Sequence, residues 1–115
     1  MLETCTIGKL RELARSKGKN VSCVQLFGLF PSSLIQVTTS SGNIYLIETV
    51  GERQLSGLQL NVARINRPQA RHPSGHVKDS FVKFGVLRVG EPFVYSSKGV
   101  VFTTNPIVLI RELLT

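Results

Sequence analysis

Two spacings of apolar residues divide this chain. Near the start, Leu10, Leu13 and Ala14 recur at helical intervals behind Thr6, a good capping residue. Gly18 is placed to end that helix in the left-handed conformation, so the pattern predicts one helix over about residues 6–17. Lys9, Arg11, Arg15 and Lys17 lie on its outer face and Lys19 follows, which reads as a solvated basic surface over one end of a sheet.

From Val21 onward the signals are those of strands. Val21 to Phe30 mixes β-branched and aromatic residues, with Gly28 as a bulge position. Leu34 to Thr39 alternates, Ser40-Ser41-Gly42-Asn43 turns, and Ile44 to Val50 returns, which predicts a hairpin. Gly51-Glu52 then reads as the start of another turn. Leu58 to Ile65 alternates strictly, placing Leu58, Leu60, Val62 and Arg64 on one face and Ala63 and Ile65 on the other. Phe81 to Val89 reads as one further strand with Gly85 inside it, followed by a Gly90-Glu91-Pro92 turn. Phe93-Val94-Tyr95 is expected to pair with Val100-Val101-Phe102 across Ser96-Ser97-Lys98-Gly99. The tail from Ile107 to Leu114 fits either a helix opened by Pro106 or a strand favoured by its β-branched run. The expected fold is therefore mainly β (α+β): one domain over 1–115, a small barrel-like or sandwich-like antiparallel sheet with one N-terminal helix.

Composition narrows the classes. An apolar fraction of 42% with 18% charged residues belongs to a globular chain. Val21 to Ile47 carries no charge, but Pro31-Ser32-Ser33 and the Thr38 to Asn43 turn cut it into strand-sized pieces, so no membrane span is expected. The start, Met1 to Thr6, lacks the pattern of a secretory signal, and the expected location is cytoplasmic. Cys5 and Cys23 have neither metal-ligand nor disulfide-framework spacing.

The net charge of +7, from 14 Lys and Arg against 7 Asp and Glu, favours anionic partners. Its sharpest concentration is a proline-stiffened stretch, Arg64 to Lys78, which holds Arg64, Arg67, Arg71, His72, His76 and Lys78 and no acid. Pro68, Pro73 and Gly75 bar a regular helix there, so it reads as a basic loop offering these residues to an anionic partner.

The tests for chemistry come out on the side of binding. His72 and His76 have the four-residue spacing of a zinc pair, but Pro73 and Gly75 forbid the helix that spacing needs, so no metal site is expected. Gly85 to Glu91 has phosphate-loop glycines with Glu91 where a lysine is required, and an acid there repels phosphate. The acids are scattered, and a Ser–His–Asp79 arrangement inside one loop arises readily by chance. No catalytic residue, cofactor or small-molecule substrate is indicated.

Two phrases carry a resemblance: Thr39-Ser40-Ser41-Gly42-Asn43-Ile44-Tyr45, and Val89-Gly90-Glu91-Pro92-Phe93 followed by Thr103 to Val108. The chain resembles small uncharacterised bacterial β-domain proteins in which a Thr-Ser-Ser-Gly hairpin leads to a Tyr-bearing strand. In them a Val-Gly-Glu-Pro turn follows, and a Thr-Ser-Pro-Val strand closes the domain. The resemblance covers about residues 35 to 110, with Thr104-Asn105-Pro106 in place of Thr-Ser-Pro. It implies a small β-domain and brings no activity with it.

The leading expectation is a non-enzymatic binding module acting in protein interaction or assembly, with the 107–114 tail able to dock on a second copy. The alternative is a nucleic-acid-binding β-barrel contacting phosphates through Arg64, Arg67 and Arg71, with Tyr45, Phe81, Phe84 and Tyr95 as the available stacking rings.

Overall fold

The computed structural model describes residues 6–26, 29, 33–54, 57–65, 77–82, 85–97 and 99–113, with the backbone alone at Ile7, 51–54, 57 and 77–82. It is mainly β with one helix, α1 (Ile7–Ala14). The strands are β1 (Gly18–Val21), β2 (Cys23–Gln25), β3 (Leu34–Thr39), β4 (Ile44–Gln54), β5 (Gly57–Arg64), β6 (Val77–Val82), β7 (Val86–Arg88), β8 (Pro92–Ser97) and β9 (Val100–Leu113). Among the described residues no helix is long and apolar enough to cross a membrane.

The main sheet is antiparallel, in the order β1-β9-β3-β4-β5-β6-β8, and β8 pairs again with β9. The sheet therefore curls back on itself. At the β6–β8 seam a single register pair, Phe81 with Ser96, joins the strands, which leaves it short of a closed barrel. A separate ribbon of β2 and β7 lays Val24, Leu26 and Leu87 against the inner face. That face is the main core, with Ile35, Val37, Tyr45, Ile47, Leu58, Leu60, Val62, Phe93, Tyr95, Ile107 and Ile110.

A second core lies outside the curl. There α1 buries Leu10 and Ala14 against Leu34, Leu46, Ala63, Ile65 and Leu113. The alternation predicted for Leu58 to Ile65 is what divides β5 between the two cores.

The helix starts at the predicted cap, with Thr6 Oγ1 accepting the Lys9 amide at 3.2 Å. It ends three residues earlier than the 6–17 expectation, at Ala14. Arg111 accounts for this: its guanidinium donates to the Ala14 carbonyl (3.1 Å), the Ser16 carbonyl (2.7 Å) and Gln36 Oε1 (2.6 Å). A fixed cation thus satisfies carbonyls that would otherwise continue the helix, at the dipole end where positive charge is favoured. Gly18 is not a helix cap. It opens β1, where a Cβ would stand 2.9 Å from the Glu112 carbonyl oxygen, so only glycine permits that approach to β9.

The predicted β3–β4 hairpin is present, with Gly42 at φ 84°. The β8–β9 hairpin is present too, with Ser96 and Ser97 inside the strand and Gly99 at φ 78° in the turn. Three expectations are corrected. Gly51-Glu52 is not a turn, because β4 runs on to Gln54 and a register shift between Thr49 and Arg53 absorbs the irregularity. Phe81 to Val89 is not one strand. The chain changes partner at Gly85, whose carbonyl accepts the Leu26 amide, leaving β6 against β5 and β7 against β2. Of the described residues between Val21 and Phe30, Val21 and Cys23–Gln25 lie in strands; Phe27, Gly28 and Phe30 are outside the described residues.

The tail is strand through Leu113, lying between β1 and β3. It is thus a central strand of its own sheet, and the docking of this tail on a second copy is overturned. Pro106 does not start a helix. It sits where β9 passes from β8 to β3 amid register shifts on both sides, so its missing N–H breaks no regular ladder.

Candidate functional site

The basic stretch from 64 to 78 does not form one exposed patch. Arg64 is the last residue of β5 and points into the main core, with 1% of its surface exposed. Its Nη2 donates to Asn43 Oδ1 at 2.8 Å, across to the β3–β4 turn. Tyr45 stands directly opposite it in the β4–β5 register. Burial pushes the Tyr45 phenol above its ordinary value, opposed by the Arg64 charge and by the hydrogen bond with Asn43. Burial also raises Tyr95, with Tyr45 adding to the shift and Arg64 opposing it. Arg64 is therefore a buried core cation that faces two phenols, and its predicted role as a surface phosphate contact is corrected. The alternation that put it on the face of Leu58, Leu60 and Val62 was the sequence signal for this.

Lys78 is the second residue of β6, with its backbone opposite Val62, so it too belongs to a strand and not to a loop. Arg67, Arg71, His72 and His76 lie outside the described residues. Glu48 is on the face opposite Arg64, where Asn61 Nδ2 donates to its Oε1 at 3.0 Å. Of the rings named as stacking candidates, Tyr45 and Tyr95 are buried. Tyr95 is sandwiched instead between Phe93 (4.8 Å between centroids) and Phe102 (5.1 Å) inside the fold. Phe81 and Phe84 bring no described side chain.

Among the described residues two surfaces can meet a partner. The first is a groove of about 560 Å³ along β8, lined by Val86, Pro92, Phe93, Val94, Tyr95 and Val101 among others. Val94 and Val101 are 46% and 62% exposed, and Val86, Val89 and Val100 are exposed beside them. At its rim Arg88 and Glu91 pair at 3.5 Å, both more than half exposed. The sequence reading did not single out these valines. The signal was available, since alternation with the large rings of Phe93 and Tyr95 puts Val94 on the opposite face.

The second surface is α1 with the segment after it. Lys9, Arg11, Arg15, Lys17 and Lys19 are all exposed, because Leu10 and Ala14 turn the other side of the helix onto the sheet. Lys9 lies 3.9 Å from Glu12. This is the basic face the sequence predicted, with its residues in place.

Comparisons with protein-family models, with curated proteins and with solved structures return no match.

Proposed function

We propose that this protein is a non-enzymatic binding module acting in assembly, and that a second copy of the chain covers the valine-rich outer face of β8 and β9. The observation that carries this reading is the exposure of Val94 and Val101 on adjoining strands beside an apolar groove. An apolar face of this kind on a small domain gains free energy when covered, about 1 kcal/mol for each half-exposed valine that leaves water. Charge favours a second copy as the cover. The chain carries a net +7, which opposes self-contact over most of its surface, but here the rim holds one cation and one anion, Arg88 and Glu91. A two-fold axis through the face sets Arg88 of each copy near Glu91 of the other. The curled sheet reads as barrel-like, and its outer face is the working surface.

Sedimentation velocity over a concentration series tests this, comparing wild type with Val94→Asp and Val101→Asp. Wild type is expected to dimerise with rising concentration and both variants to remain monomeric with unchanged circular dichroism. A wild-type chain that stays monomeric at millimolar concentration overturns self-assembly, and a heterologous protein partner becomes the reading to pursue.

A further inference from the structure

We propose a second binding surface, distinct from the valine face: the outer side of α1 with the segment to Lys19 is a phosphate-contacting surface for double-stranded nucleic acid. Arg11, Arg15, Lys17 and Lys19 are exposed and make no ion pair among the described residues, while Lys9 is shared with Glu12. Among the described residues the acids close by are Glu12 and Glu112, the latter opposite Lys19 in the β1–β9 register, so the described cations outnumber the described anions over the surface.

This surface is held in place. Arg111 ties the carbonyls of Ala14 and Ser16 to Gln36 of the sheet, and Leu10 is fully buried beneath the helix. The cations are therefore carried on a fixed frame, which lowers the ordering lost on binding a rigid polyanion.

Three polyanions compete for such a surface, and the structure separates them. An anionic membrane is normally met by a helix that inserts an apolar face between headgroups. The apolar face of α1 is already used against the sheet, and the exposed large hydrophobic residues among those described are all on β7 to β9 and the turn after β7. A single strand is normally held by stacking its bases on exposed rings. Tyr45, Phe93 and Tyr95 are buried and Phe102 is partly buried against the main core, away from this helix. Among the described residues this surface offers charge without stacking or insertion, which suits the regular phosphates of a duplex and reads no sequence.

The test is fluorescence anisotropy with a labelled duplex, the matching single strand, and phosphatidylserine-containing vesicles, each across a salt series. The comparison variant carries Arg11→Gln, Arg15→Gln, Lys17→Gln and Lys19→Gln. The expectation is binding to the duplex that is indifferent to its sequence and has a log–log salt slope flattened by roughly 3 to 4 units in the quadruple variant, at about 0.9 per lost contact. Absence of duplex binding at low salt overturns the proposal. So does an unchanged slope in the quadruple variant, or tighter binding to the single strand or to vesicles than to the duplex. Because Val94→Asp leaves these cations intact, it should bind the duplex as wild type does, which keeps this test separate from that of self-assembly.

Discussion

The outer face of the sheet is covered at one end and bare at the other. Over β3, β4, β5 and the end of β9, α1 covers Leu34, Leu46, Ala63, Ile65 and Leu113. Over β8 and the start of β9, Val94 and Val101 stand in water. The strands are alike in composition, but only the first region is supplied with polar devices that fix its cover, namely the Thr6 cap and the Arg111 clamp. A cover within the chain requires ordered polar groups at its edges. At the edge of the bare region the described ion pair is the exposed Arg88–Glu91, a contact of the kind worth little by itself and easily exchanged between molecules.

The largest effect that separates the two regions is core truncation. Leu46→Ala, fully buried beneath α1, should lower the unfolding free energy by about 3 kcal/mol in a urea titration, whereas Val101→Ala should stay within about 0.5 kcal/mol. Equal losses would mean that the valine face is already covered in the monomer. Next comes the clamp. Arg111→Leu leaves Gln36 and two helix-end carbonyls without their donor and should cost about 2 kcal/mol. Amide exchange should then rise in α1 before it rises in β8, and uniform exchange would show that Arg111 does not specifically hold the helix.

The third prediction asks whether the bare region is well packed on its inner side. Tyr45 lies on β4, in the covered half, and Tyr95 on β8, behind the valines, and the chain has no other tyrosine. Both phenols are raised, chiefly by burial, so the unfolded chain releases its phenolic protons from about pH 10 while the folded chain retains them. The stability from keeping them neutral is fully present below pH 10 and is lost as pH climbs through the raised values, by up to roughly 1.4 kcal/mol per pH unit for each phenol. Tyrosinate absorbance should accordingly rise for both rings only above pH 10, and Tyr95→Phe should shallow the alkaline fall in stability. A phenol that titrates at its ordinary value in Tyr45→Phe would show that the β8 side is open.

Period and turn chemistry made most of the fold legible. The β3–β4 hairpin, the Gly90 turn, the β8–β9 hairpin and the two-sided alternation of β5 all depend on residues within a few positions of one another. What could not be read locally depended on distant partners. The helix end needed Arg111, the role of Gly18 needed the Glu112 carbonyl, and the division at Gly85 needed β2 to claim β7. At the candidate site the same rule misled the reading of Arg64. Its neighbours Arg67 and Arg71 suggested a loop, while its own strand parity placed it in the core. The basic face of α1 was legible because amphipathic spacing alone decides it.

The route of β9 has a consequence for how this chain folds. One strand pairs with β8 at its start, then with β3 and β1, and β1 lies near residue 20 while its partners are Ile110 to Leu113. Of the described strands it is the last to leave the ribosome, yet β1, β3 and β8 all pair with it. β3 finds β4 at once, but β1 and the other edge of β3 must wait for residues 107–113 before they are paired. It should fold slowly for its size, with β1 and one edge of β3 exposed to chaperones in the interval.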